Sequence, residues 1–362
     1  MIILDSVEKT YSSPRVLMSL MPVLKPVLKK VSLTVEPGEI VGVIGKKGAG
    51  KTTLLRCIAL LERPNLGTII VNHYSLTNLN ATALTLARQS LGYVMQETSL
   101  QARQSMSLLE SRTVYENIAL PLELVELQSY EIEQRVKPLI SLVGLTDKMH
   151  SYPASLNQTE KKRVALARAL VHKPKVLLCD DPTAGVEVKN SHAILQLLKK
   201  INENFKMSML ICTQDIDVIK TLCHRVVILH EGEFLEESTT LNLFLQPKTS
   251  LAKEWVKAST RLELPAALRR RLKPKPCESS NPVLRLAFTS TTAQETLIAH
   301  MVQYYFLTIN IMQAHLESLR NETIAIMIIE VIDEHNTLGS ALAFLEKQSI
   351  FAEVLGYATR TH

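Results

Sequence analysis

No stretch of this chain approaches the roughly 18 consecutive apolar residues that a membrane-spanning helix needs. The first residues, Met1-Ile2-Ile3-Leu4-Asp5, lack the basic start and long apolar core of a secretory signal. The expectation is a cytosolic chain, unless another protein tethers it to a membrane. Five cysteines (Cys57, Cys179, Cys212, Cys223, Cys277) show no CxxC spacing, which argues for reduced thiols and against a disulfide framework. The ten histidines show no metal-ligand spacing, so no structural metal is expected. Net charge is +6, unevenly placed: residues 283–362 hold four basic and eight acidic side chains, which leaves +10 on the remainder. No aromatic-interleaved basic stripe accompanies that excess. Nucleic acid is therefore disfavoured as a partner against anionic lipid headgroups, nucleotide or a plain solvated face. With 362 residues, 46% hydrophobic and 21% charged, the composition is that of a globular protein of about two domains.

What is present is more specific. Gly45-Lys46-Lys47-Gly48-Ala49-Gly50-Lys51-Thr52 fits the phosphate-loop pattern. An apolar strand, Ile40–Ile44, precedes it, and a helix beginning at Thr53 is expected behind it. Glycines in such a loop let successive amides face one phosphate chain, and the helix N-terminus adds a favourable dipole. Lys51 is placed for the β- and γ-phosphates and Thr52 for Mg²⁺. The chain is expected to bind a nucleoside triphosphate.

Three further strands end in polar residues downstream: Gly92–Gln96, Val176–Asp181 and Leu210–Asp215. The second, apolar and closed by two carboxylates, has the character of a Walker B segment. Helical periodicity between Gln96 and Val176 suggests an inserted helical subdomain, about 97–172, within a nucleotide-binding unit of residues 1–245. Prolines and the basic run Arg269-Arg270-Arg271 make 246–282 a linker. Residues 283–362 then alternate as strand Val283–Thr289, helix Ala293–Phe306, strands Thr308–Glu317 and Thr323–Ile332, helix Thr337–Lys347 and strand Ile350–Gly356. That βαββαβ order is the ferredoxin-like arrangement. No catalytic constellation lies there, so a sensing role is expected. The expected fold class is α/β: a P-loop nucleotide-binding domain followed by a small ferredoxin-like domain.

This order of motifs resembles the ATP-binding subunits of ABC transporters, and nearly the whole chain is similar to the methionine-importer ATPase family. The likeness is carried by Ser111–Leu124, Ser141–Leu145, Tyr152-Pro153, Pro174–Asp180 and Leu60–Pro64, and by the C-terminal unit ending Glu353–Tyr357. The resemblance implies that Tyr11 stacks on adenine while Gly45, Lys46, Lys47, Gly48, Ala49, Gly50, Lys51, Thr52 and Thr53 cradle the phosphates. It implies Thr52, Gln96 and Asp180 around Mg²⁺, with Gln96 also touching the attacking water. It further implies a transmembrane permease and an extracytoplasmic substrate-binding protein as partners, and a place on the cytoplasmic face of the membrane. A head-to-tail homodimer, or a heterodimer with a paralogue, and a small amino acid at the C-terminal unit complete the expectation.

The departures cluster. Where the family has Leu-Ser-Gly-Gly-Gln, this chain has Leu156-Asn157-Gln158-Thr159-Glu160. Gln158 and Thr159 bring β-carbons where backbone approaches a partner's nucleotide, and Glu160 adds a carboxylate near triphosphate, at a cost of about 1–4 kcal/mol. Asn157 can still cap the helix. The catalytic glutamate is replaced by Asp181, one methylene shorter, and a misplacement near 1 Å costs on the order of a hundredfold in rate. The switch histidine is Gln214, which hydrogen-bonds but cannot become cationic. Because each composite site of a head-to-tail dimer takes its signature helix from the other chain, a partner paralogue would leave both sites compromised. Two readings stand: an importer ATPase with slow turnover, or a nucleotide-binding regulatory subunit with little hydrolysis. A single phosphate loop argues against tandem ABC proteins acting on ribosomes or DNA.

Overall fold

The computed structural model describes residues 1–12, 24–95, 108–260, 266–277, 280–289 and 297–359. The chain forms two compact units, Met1–Glu237 and Ser238–His362.

In the first unit, strands β1 (Ile2–Ser12), β2 (Leu24–Val35), β4 (Leu66–Val71) and β5 (Tyr74–Ser75) form a sheet in the order β2-β1-β4-β5. A second sheet runs β10-β9-β3-β8-β7-β6. Its inner strands β3 (Ile40–Ile44), β7 (Val176–Asp180) and β8 (Ser208–Thr213) are buried throughout, as parallel strands covered on both faces must be. Their near-continuous Val, Ile and Leu follow from that burial. Strands β6 (Leu91–Val94) and β9 (Arg225–His230) flank them in parallel, and β10 (Glu233–Thr239) lies outermost. Helix α1 (Lys51–Ile58) packs Leu54, Leu55 and Ile58 into the core shared by the two sheets.

The helical part of this unit has its own core, built on Val114, Ile118, Leu122, Val136, Ile140 and Val164 among others. These come from α3 (Val114–Glu123), α4 (Ser129–Leu142) and α5 (Gln158–Leu170), which follow α2 (Ala81–Gln89). The i, i+4 spacing of Val114, Ile118 and Leu122, and of Ile132, Val136 and Ile140, gives each helix one apolar stripe. Thr113 opens α3 with a capping box completed by Glu116.

In the second unit the sheet order is β11-β15-β12-β14-β13. Its strands are β11 (Leu272–Lys273), β12 (Ser280–Thr289), β13 (Thr308–Ser318), β14 (Thr323–Ile332) and β15 (Phe351–Thr359). The βαββαβ order is as expected, with antiparallel neighbours and β12 between β15 and β14.

The linker expectation requires correction. The first unit ends at Glu237 rather than near 245, and 246–282 carries helices Ser250–Thr260 and Ala266–Arg271. Ala252, Val256 and Leu268 are buried, and β11 pairs with β15 as an extra edge strand. Pro282 lies near the start of β12, where a missing N–H is tolerated, so the prolines did not mark a solvated hinge.

Candidate functional site

The C-terminal ends of β3, β7 and β8 converge, the usual place for ligands on a parallel sheet. From Ile44 the chain turns through Gly45–Gly50 into α1. Gly48 and Gly50 take φ of +85° and +111°, in the left-handed region where a side chain is strained. A β-carbon on Gly45 would lie 2.4 Å from the Leu229 carbonyl oxygen, so glycine is required there for packing.

Lys51 is 7% exposed, and its ammonium donates to the carbonyls of Gly45 (2.7 Å) and Lys46 (3.1 Å), folded across the loop it serves. Burial lowers its pKa, with Asp181 and Asp180 among the groups opposing that shift. The Thr52 hydroxyl donates to Asp180 Oδ2 at 2.8 Å. Burial pushes the Asp180 carboxyl upward, against the Thr52 hydrogen bond. Among the described residues no cluster of three or more His, Cys, Asp or Glu could hold a metal alone. Thr52 and Asp180 nonetheless supply two hard oxygens, which suits Mg²⁺ that draws its remaining ligands from phosphate and water.

Asp181 follows β7 with φ +48° and is 7% exposed. Its Oδ1 accepts from the Thr213 hydroxyl (2.8 Å) and the Gln214 backbone N–H (3.3 Å), and its own backbone N–H donates to the Cys212 carbonyl. The Gln214 side chain is exposed beside it. Sequence reasoning missed Thr213 and also Lys162, whose ammonium donates to the Asp181 carbonyl at 3.4 Å. Nothing in the sequence marks either as a neighbour of Asp181, because each contact spans separate elements.

Tyr11 ends β1 near α1. Its hydroxyl is bonded to Glu62 and also interacts with Thr53, while the Lys9 ammonium stands 5.2 Å from the ring centroid. Burial, reinforced by Glu62, pushes the phenol up to about 12. The structure thus joins Tyr11 to the phosphate-loop helix. Gln96 lies outside the described residues.

At the signature position, two expectations change. Thr159 is 9% exposed, so its side chain is turned into the fold; the added bulk at the surface falls on Gln158. Glu160 is not an uncompensated carboxylate. It closes a capping box: its Oε2 accepts from the Asn157 backbone N–H (3.0 Å), while the Glu160 backbone N–H donates to Asn157 Oδ1 (2.9 Å). Lys148 Nζ donates to its other oxygen at 2.6 Å.

Sequence comparison agrees with this geometry. The ABC transporter family model matches residues 28–184, and the NIL domain model matches residues 282–354. The methionine import ATP-binding protein MetN of Coxiella burnetii is 41% identical over 99% of this chain and 98% of its own length. That of Chromohalobacter salexigens is 41% identical over 99% of each. Among solved structures, a dimeric ATP-binding cassette in a post-hydrolysis state with ADP and Pi is similar at TM-score 0.58 and 29% identity. That likeness covers 66% of this chain and 99% of the cassette. CbiO1 of Clostridium perfringens, part of an ABC transporter complex, is similar at TM-score 0.59 and 25% identity over 74% and 96% of the two chains.

Fold, phosphate loop and Walker B pair together define an ATPase of the ABC transporter class. The match over nearly the entire length is narrower than that class: the chain belongs to the methionine-import ATP-binding protein family.

Proposed function

We propose that this chain is the ATP-binding subunit of an importer for methionine or a related amino acid, coupling ATP binding and hydrolysis to transport through a membrane permease. The observation that carries the reading is full-length similarity to methionine-import subunits, combined with an intact phosphate loop whose Thr52 meets Asp180. Nucleotide binds with its phosphates on the Gly45–Thr53 turn and Lys51. Thr52 and Asp180, with Gln96, hold Mg²⁺, which neutralises phosphate charge. Tyr11 presents its ring to adenine. The subunit attaches peripherally, at the cytoplasmic face, through its permease, a reading that rests on its similarity to methionine-import ATP-binding subunits; among the described residues no helix is long and apolar enough to cross a membrane. A second copy or a paralogue completes each site head to tail. An extracytoplasmic binding protein delivers substrate, and the second unit senses a small apolar amino acid.

Steady-state phosphate release by the subunit with its permease, beside Lys51→Ala, tests the enzyme assignment. Rates indistinguishable from that variant remove hydrolysis and favour the second reading, a nucleotide-binding regulatory subunit. That reading is motivated by the Asp181 carboxylate, held by Thr213, and by glutamine at position 214. Titration of the full chain with methionine and its analogues tests the sensing role, and a flat response reduces the second unit to an assembly module.

A further inference from the structure

Strands β7 and β8 begin at a cavity that the nucleotide site does not use. Its volume is about 810 Å³, within the range of about 300–1,000 Å³ typical of small-molecule sites. Lys175 and Ser208 line it at the start of these strands, whose opposite ends carry Asp180 and Thr213. A five-residue strand spans about 16 Å, so the two sites are separate.

The chemistry of the lining is two-sided. Leu139, Leu170, Val171, Pro174 and Met207 supply an apolar floor. Arg135, Lys173, Lys175 and Lys206 stand around it, and no aspartate or glutamate is among the lining residues. None of the four cations forms an ion pair among the described residues. Four lining residues also hold the left-handed backbone conformation: Asn72 (φ 48°), His73 (φ 71°), Lys173 (φ 53°) and Lys206 (φ 48°). Lys206 caps helix Val188–Phe205, and Lys173 follows α5, places where glycine or asparagine is usual. Helix carbonyls favour a cation at such ends, which accounts for part of the preference. They do not account for Arg135, which lies inside α4, nor for Lys175 at a strand start. Left-handed backbone and four cations with no acidic neighbour in the lining thus coincide around one apolar cavity. Arg135 is half-buried while Lys173, Lys175 and Lys206 are exposed, which suits a ligand with an apolar body inside and an anionic head at the solvent edge.

We propose that this cavity binds a single-chain amphiphilic anion, with its apolar chain on the Leu139–Met207 floor and its carboxylate or phosphate head among Lys173, Lys175, Lys206 and Arg135. The occupant bridges the helical part of the first unit, through α4, to the start of the central strands.

Calorimetric titration of the full chain with decanoate, decyl phosphate and decyltrimethylammonium tests this. Both or either of the anions binding at one per chain, with no binding of the cation, supports the site; the tighter anion identifies the head. Lys173→Glu with Lys206→Glu weakens anion binding by about tenfold or more, while ATP affinity is retained. Lys189→Glu, exposed and remote from the lining, leaves it unchanged. Leu139→Trp, checked for an unaltered melting transition, fills the cavity and abolishes binding. Absence of heat with both anions, equal binding of the cation, or undiminished binding by the double lysine variant overturns the proposal.

Discussion

The Thr213 hydroxyl donates to Asp181 Oδ1 at 2.8 Å, so a residue at the end of β8 fixes the carboxylate that follows β7. The Gln214 backbone N–H reaches the same oxygen at 3.3 Å. One carboxylate oxygen is thereby committed to the protein, on a side chain already shorter than the glutamate that the family resemblance implies.

Lengthening that side chain and restoring a titratable ring beside it should release the limit. Asp181→Glu combined with Gln214→His is expected to raise steady-state ATP hydrolysis about tenfold to a hundredfold, the range associated with correcting a misplacement near 1 Å. Phosphate release in the presence of permease reads the effect. An unchanged rate moves the main defect to the helix that starts at Asn157.

The glycines of the phosphate loop should separate by mechanism. Gly48→Ala meets no atom within 4 Å and carries only the strain of φ +85°, about 1–2 kcal/mol. Gly50→Ala adds a contact of 2.7 Å with the Val27 carbonyl oxygen, and Gly45→Ala one of 2.4 Å with that of Leu229. Backbone cannot yield there cheaply. Equilibrium dialysis with labelled ATP should find binding retained by Gly48→Ala and lost by Gly45→Ala. The reverse order would show that the loop opens away from β9.

Glu160 supplies a pH test. Burial opposes its ionisation, but the Lys148 ammonium and the Asn157 amide outweigh that and hold the carboxyl below its ordinary value of 4.5. A depressed folded pKa contributes stability that is present above the unfolded value and is lost as pH falls through the folded one. Melting temperature measured below pH 4.5 should therefore fall less steeply in Lys148→Met than in the unmodified chain. The Lys148 side chain is the more open of the two and Glu160 is only partly covered, so solvent screens the pair and Lys148→Met at neutral pH costs about 1 kcal/mol or less. Asn157→Ala, which removes the cap itself, costs about 1 kcal/mol and Asn157→Ser almost nothing.

What the sequence disclosed was what short-range pattern encodes. Glycine spacing, the buried run Val176–Asp180 and the alternation in 283–362 each state their own structure within a few residues. The partners of the site residues were invisible because they come from elsewhere: Lys148 for Glu160, Thr213 for Asp181, Glu62 for Tyr11. Burial of Thr159 depends on which side of α5 faces the helical core, a question of rotation that a five-residue motif does not answer. The linker was misjudged for a related reason. Prolines and arginines dominate 265–276 in composition, yet Ala252, Val256 and Leu268 supply enough apolar surface to order the helices around them.

Asn117 offers a last test, on the helical part of the first unit. The side chain is fully buried; its Oδ1 accepts from the Leu109 amide at 2.8 Å, while Nδ2 donates to the carbonyls of Leu109, Arg112 and Thr113 at 3.1, 2.9 and 2.9 Å. One amide thus satisfies the turn that leads into α3. Asn117→Ala strands several buried polar groups and should cost about 3 kcal/mol in urea unfolding, with faster hydrogen exchange at Leu109. Asn117→Asp keeps the acceptor for Leu109 but turns a negative oxygen toward three carbonyls, so it should destabilise at least as much at pH 7 and less at low pH, where a protonated acid donates again. If aspartate were tolerated at neutral pH, the turn would be held by the helical core alone, and the Asn117 hydrogen bonds would be incidental to it.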